Sequence, residues 1–358
     1  MRGPLLASLL DRNNNNFNLV RLLAAASVIV SHGWLATGGE HAIEPLYGPT
    51  PFTLGQHAVL VFFSLSGFLV AASLHRARTI GEFLWARILR IYPALLVCLF
   101  VVTFLVGPAV TTRELSAYFG DVTTFLYPVK SAIVFSATYH LPGVFETTPY
   151  PGIVDLPIWT LKYEILCYLA LAGLGAVGLF RKVAVVWAVF ALATIAYVLI
   201  LVVPELAVLP KTAYHLARLF AMFFLGVLGW HYRHEIRLSP VILGIVVAVA
   251  VALHGYAVSE LAWVAVDAYG ALCLAALPLG AVRRVTNRFD ISYGLYIYGW
   301  TVEQVLVDAM PDAGPLTIGL AGLVIASAVA WVSWNVVERP ALRMKRAAPV
   351  GPAMLPAR

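Results

Sequence analysis

The residues of this chain that could do chemistry are few, and most sit inside apolar runs. Arg21 and His32 share one run, with ten residues between them. Eleven helical steps of about 100° end about 20° past three full turns, so the two lie on one face, about 16 Å apart along the axis. A second run opens Trp159-Thr-Leu-Lys162-Tyr-Glu164 and continues to Tyr168. Glu164 and Tyr168 stand at i and i+4 and share a face. Arg218, Asp267 and Glu303 lie a few residues inside three further runs. A histidine near carboxylates is general acid–base chemistry, because a neutral imidazole near pH 7 accepts a proton readily. A separate basic group is formed by Arg76, Arg78, Arg87 and Arg90, the last two at i and i+3 and followed by Tyr92-Pro93. Paired guanidiniums suit phosphate, since each donates two parallel hydrogen bonds.

What must position these residues is a membrane bundle. The chain has 358 residues, of which 61% are hydrophobic and 12% charged. A soluble domain carries about 45–50% apolar and about 25% charged residues. Disorder, collagen and disulfide scaffolds are excluded with it. An all-α, polytopic fold follows. Ten segments are long and apolar enough to span a bilayer, at 17–36, 55–75, 91–109, 159–180, 183–203, 212–231, 239–257, 260–280, 289–308 and 315–338. The expected organisation is a cytoplasmic lead at 1–16, the ten-helix domain at 17–338 and a basic cytoplasmic tail at 339–358. No signal peptide is expected before the first run.

Ten spans leave both termini on one side. With the N-terminus inside, all but five of the 24 Lys and Arg residues collect on the cytoplasmic side. The exceptions are Arg113, Lys130, Lys162, Lys211 and Arg218. Most acids sort the other way, as the positive-inside bias expects for a plasma-membrane protein. The net charge of +6 is therefore largely orientation signal. His32, Glu164, Arg218, Asp267 and Glu303 then form a belt in the outer half of the membrane, where ionisable groups default to function. The inner half is basic. The one long connection, 110–158, is an outside loop rich in Pro, Tyr and Phe, and loops of that length are commonly functional.

Several chemistries are absent from the sequence. There is no P-loop, G-x-S-x-G, H-E-x-x-H or C-x-x-C. His231-x-x-His234 with Glu235 has metal-like spacing but falls at a cytoplasmic helix end, and no metal is expected. Cys98, Cys167 and Cys273 lie in apolar runs as packing residues. The basic residues are spread over short loops without an aromatic platform, so nucleic acid is not an expected partner.

Taken together, the motifs resemble those of the acyltransferase-3 family of integral-membrane acyltransferases, over Asn18 to Pro340. They are Asn18-Leu-Val-Arg21 with His32; Phe62-Phe-Ser-Leu-Ser66-Gly67-Phe68; Arg87-x-x-Arg90-Ile-Tyr92-Pro93; and Leu141-Pro-Gly-Val-Phe-Glu146. Then come Trp159 through Glu164 to Tyr168; Ile291-Ser-Tyr-Gly-Leu-Tyr296; and Trp334 through Glu338-Arg339-Pro340. Two departures stand out. Tyr298-Gly299-Trp300 replaces a second His common after the Ser-Tyr-x-Leu-Tyr run, and Asp155 stands where related loops often carry Asn.

The resemblance implies transfer of an acyl group, usually acetyl, from cytoplasmic acyl-CoA to a hydroxyl of an extracytoplasmic carbohydrate, a polysaccharide or lipid-linked sugar. The site in a bacterial inner membrane would then divide into three groups. Arg21, Arg76, Arg78, Arg87, Arg90, Tyr92 and Ser66 hold the CoA. His32 is the general base, with Glu164 orienting it or holding sugar hydroxyls. Trp159, Lys162, Tyr168, Arg218, Glu303 and Asp155 meet the acceptor. An acyl-His32 intermediate is the mechanistic alternative. A sugar or lipid transporter would use the same intramembrane charges as a relay, and an accessory envelope subunit would not need them. Whether the chain forms a homo-oligomer is open.

Overall fold

The computed structural model describes residues 3–11 and 14–344. Arg2, Arg12, Lys345, Arg346 and Arg358, and with them most of the expected tail, lie outside the described residues. Every one of the ten expected segments contains a helix. They are α1 (Phe17–Gly38), α2 (Leu54–Arg76), α3 (Ile80–Val110), α6 (Ile158–Ala176), α7 (Val183–Val202), α8 (Lys211–His231), α9 (Pro240–Ala252), α10 (Ser259–Ala275), α12 (Ser292–Ala309) and α13 (Pro315–Arg343). Short helices α4 (Leu115–Gly120) and α5 (Val122–Ala132) lie in the long loop, and α11 (Gly280–Thr286) follows α10. Among the described residues the β-structure consists of isolated bridges.

A helix satisfies its own backbone polar groups, which is what a bilayer demands. Thr53 starts α2 with a capping box: its hydroxyl accepts from the Gln56 amide at 3.2 Å, and the Gln56 side chain accepts from the Thr53 amide at 2.9 Å. Thr79 caps α3 by accepting from the Glu82 amide at 3.0 Å. Seven of these helices are long and apolar enough to cross a membrane, and α10 with α11, bent by 101°, adds an eighth as a broken span. Helix α9 is shorter, at 13 residues. Helix α12 is long but more polar, because it is buried nearly all round and carries Ser292, Thr301, Glu303 and Gln304 inside the protein. Helices α7 and α9 show the opposite pattern and expose Trp187, Leu192, Ile195, Val241 and Ile245, as lipid-facing surfaces do.

The centre is built from α1, α2, α12 and α13, with α8 packed on α2. The α2–α8 contact is close because both sides are small. A Cβ on Gly67 would stand 1.9 Å from the Phe223 carbonyl oxygen, and one on Gly226 would stand 2.0 Å from that of Ser64. Small residues at such crossings bring helix backbones together.

The long loop is tied to α12 rather than free. Trp300 Nε1 donates to the Ile153 carbonyl at 2.7 Å, Thr301 to that of Val154 at 2.8 Å, and Gln304 to that of Tyr150 at 2.8 Å. At the other end of the bundle, the Asn run anchors α1. Asn15 donates to the Leu9 carbonyl at 2.9 Å, and the Asn16 amide donates to the Ala275 carbonyl at 2.8 Å, where α10 ends.

Candidate active site

Four helices, α1, α2, α6 and α12, each pass two cavities in succession. The first, of about 340 Å³, is lined by Arg21 of α1, Ser66 of α2, Arg87 and Arg90 of α3, Glu164 and Tyr168 of α6, and Asp290 just before α12. We call it the basic cavity. The second, of about 280 Å³, is lined by Ser31 and His32 of α1, Glu44, Gln56 of α2, Trp159 of α6 and Arg218 of α8. We call it the histidine cavity. Val59 of α2 and Tyr296 of α12 line both.

In the basic cavity the charges are largely matched. Arg21 Nη1 and Arg90 Nη2 reach the same Asp290 oxygen, at 3.1 and 2.9 Å, and Ser292 donates to its other oxygen at 2.7 Å. Arg87 lies 5.7 Å above the Tyr168 ring and 5.9 Å above that of Phe83, and contacts the Ser73 hydroxyl at 3.4 Å. Tyr168 donates to Glu164, one turn away on the same helix face, as their spacing implies. Three guanidiniums and two carboxylates therefore line the cavity, with the buried Glu338 carboxyl close enough to Arg90 to interact with its charge.

The histidine cavity is less evenly partnered. His32 Nδ1 is 3.8 Å from Oε2 of Glu303, and the Trp300 ring meets the imidazole edge-on at 5.3 Å. Glu303 is fully buried, and neither of its oxygens has a hydrogen-bond partner among the described residues. Gly322 leaves room for it, since a Cβ there would stand 2.9 Å from the Glu303 Cγ. Arg218 is 2% exposed, donates to the Tyr214 hydroxyl at 3.1 Å and lies 5.1 Å over the Phe52 ring. Trp159 packs against His215, with ring centroids 4.7 Å apart. Glu44 is an anchor. It accepts from Ser31 at 2.6 Å and from the Leu54 amide at 2.9 Å, fastening the segment before α2 to α1 beside His32.

The structure thus splits the outer belt expected from sequence. His32, Arg218 and Trp159 line one cavity, and Glu303 stands behind His32 without lining it. Glu164 lies with Tyr168 among the arginines of the basic cavity, and the carboxylate facing His32 is Glu303. Asp267 belongs to a third group, where both its oxygens lie 2.9 Å from His57 Nδ1 and His57 Nε2 is 2.9 Å from the Thr50 hydroxyl.

Arg21, Ser66, Arg87 and Arg90 share the basic cavity. Arg76, Arg78 and Tyr92 do not line it, nor do Lys162 and Asp155 line the histidine cavity. Lys162 sits over the Tyr163 ring at 5.0 Å. Asp155 is fully buried, with Cys98 Sγ at 3.8 Å as its donor. Burial pushes its carboxyl up to about 8, with the Cys98 contact opposing.

Asp290, His57 and Glu44 were not singled out from the sequence. His57 had a signal, an ionisable group inside an apolar run. Asp290 lies just before a helix and Glu44 in a connection between helices, where acids are ordinary. Among the described residues no group of three or more His, Cys, Asp or Glu side chains is placed to hold a metal ion.

The model of an acyltransferase domain family matches residues 14–335 of the chain. Nodulation protein 10 of Rhizobium leguminosarum bv. viciae is 29% identical over 355 residues, covering 93% of this chain and 94% of that protein. An O-acetyl transferase of Shigella phage Sf6 is 29% identical over 341 residues, covering 91% of this chain and 95% of the relative. No solved structure matches.

Proposed function

The chain belongs to the acyltransferase family, and on that premise we propose that it moves an acyl group, acetyl first, from cytoplasmic acyl-CoA to a carbohydrate hydroxyl beyond the membrane. The observation that carries this reading is the pair of cavities strung along the same four helices, one basic and one holding the histidine. The phage relative's O-acetyl transferase title supports acetyl and oxygen as the group moved and the atom that receives it. The positive-inside bias supports a multi-pass protein of the bacterial inner membrane with both termini in the cytoplasm.

In this reading Arg21, Arg87 and Arg90 hold the nucleotide phosphates of CoA, and the pantetheine arm runs along α1 towards His32. A bound phosphate would compete with Asp290 for Arg21 and Arg90, and Ser66 would lie beside the arm. The acceptor lies in the histidine cavity against Trp159, with Arg218 in its wall. His32 takes the proton of the acceptor hydroxyl as that oxygen attacks the thioester carbonyl. The carbon–sulfur bond breaks, the CoA thiolate leaves, and the ester stays on the sugar. Positioned general-base catalysis of this kind is worth about 10²–10⁴ in rate. Glu303 stands behind the imidazole, on the Nδ1 side, where a carboxylate orients the ring and stabilises its protonated form. It fills the role left by the missing second histidine at Tyr298-Gly299-Trp300.

The test uses purified protein in lipid. His32→Ala is expected to abolish acyl transfer while CoA binding stays near wild type. Near-full transfer by that variant would sink the proposal. Radiolabelled acyl trapped on His32 without acceptor would replace direct attack by the covalent route.

A further inference from the structure

We infer that Val59 and Tyr296 form a filter that restricts the transferred group to short acyl chains. The inference rests on the reading above, in which donor and base occupy different cavities. Along α1 the change from one cavity to the other falls between Arg21 and Val28. On α6 it falls between Trp159 and Thr160, and on α2 and α12 it falls at Val59 and Tyr296, the two side chains that line both spaces. Any thioester held by Arg87 and Arg90 and presented to His32 therefore passes these two residues.

The junction is largely buried and held in place. Val59 and Tyr296 are each only 8% exposed. The Tyr296 hydroxyl is paired with that of Thr160 at 2.8 Å, which ties α12 to α6 across the gap. Phe62, one turn along α2, meets the Tyr296 ring edge-on at 5.8 Å and supports it from the basic side. None of these four side chains carries a charge, so the passage suits an uncharged acyl group. A packed apolar slot discriminates by methylene, about 10–200-fold for each one added or removed. Enlarging Val59 leaves less room beside Tyr296, and shrinking it opens a space that an extra methylene can fill.

Inverted membrane vesicles from cells making the full-length protein provide the test, since they present the cytoplasmic face and keep the native acceptor. Radiolabelled acetyl-CoA and butyryl-CoA are offered separately, and label in vesicle glycans is measured. Val59→Ala is expected to raise the butyryl-to-acetyl ratio about tenfold or more. Tyr296→Phe, which removes only the hydroxyl tied to Thr160, is expected to shift the ratio the same way by less. An unchanged ratio in both variants, with acetyl transfer retained, overturns the filter. His32→Ala vesicles run in parallel separate the two ideas, because activity there breaks the catalytic reading rather than the filter. If Val59→Ala fails to fold, Tyr296→Phe alone decides, and no shift in its ratio counts against the filter.

Discussion

The two cavities use charge differently. In the basic cavity Asp290 bridges Arg21 and Arg90, Tyr168 donates to Glu164, and Arg87 lies on two aromatic rings. Each ion has a protein contact, although Arg87 Nε has no hydrogen-bond partner among the described residues, and the cavity holds its shape by those contacts. Beside the histidine cavity, whose wall it does not line, Glu303 is wholly buried with both oxygens unpaired among the described residues, and His32 faces it at 3.8 Å, beyond hydrogen-bond range. Leaving a buried polar group unpaired costs about 1–3 kcal/mol. Such a cost is tolerated where it leaves groups free for a reaction. On the proposed reading, one cavity is organised for binding and the other for chemistry.

The largest effect that could break this contrast is on turnover. Glu303→Gln keeps the shape and removes the carboxyl behind His32. It is expected to lower kcat about 100-fold with acyl-CoA affinity unchanged, as measured by label transfer to vesicle glycans and by CoA binding to purified protein. Wild-type turnover would mean that Glu303 is packing and that the contrast is mistaken. The counterpart in the basic cavity is Arg90→Ala, expected to raise the donor KM by about 10–100-fold, the worth of one or two charge-assisted hydrogen bonds, with kcat within a few-fold. A fall in kcat at unchanged KM would give Arg90 a part in the chemistry.

Much of this division was legible in the sequence. The ten helical segments follow from apolar run length, and the shared face of Arg21 and His32 follows from helix periodicity, because both are local properties. Arg87, Arg90 and Ser66 were recognisable from motif order. Which carboxylate faces His32 was not, since depth along a helix says nothing about its rotation against a neighbour. Glu164 and His32 sit at similar expected depth yet face different cavities. Asp290 shows the same limit: its importance comes from two arginines on separate helices that converge on it. Helix α12 was legible as a helical segment, but its polarity is explained only by its central place.

A smaller effect concerns the loop outside both cavities. The Asp155 carboxyl, held by burial at about 8, keeps its proton in the folded protein while the unfolded chain loses it above about 4. The unfolded state then binds fewer protons, so stability falls as pH rises from about 4 to about 8 and levels off above. Asp155→Asn removes that loss. Its Tm in lipid is expected to match wild type near pH 4 and to exceed it by a few degrees at pH 8. Donor and acceptor KM should both stay unchanged, because Asp155 lines neither cavity. A raised acceptor KM would return Asp155 to the acceptor site and widen the histidine cavity's reach.

The smallest effect separates the cavities through their helix caps. Thr53 starts α2 at the wall of the histidine cavity, and Thr79 starts α3 on the helix that carries Arg87 and Arg90. Losing either cap costs about 1 kcal/mol, so Thr53→Ala and Thr79→Ala should lower Tm similarly, by about 2–4 °C. Their kinetic consequences should differ. Thr53 lies next to Leu54, whose amide is held by Glu44 beside His32, and fraying there loosens the wall of the histidine cavity. Thr53→Ala is therefore expected to raise the acceptor KM a few-fold and leave the donor KM alone. Fraying at Thr79 moves the start of the helix that carries Arg87 and Arg90, and the reverse pattern is expected. Equal shifts in both constants for both variants would show that the two cavities respond as one body, and the contrast between them would then describe their charges but not their mechanics.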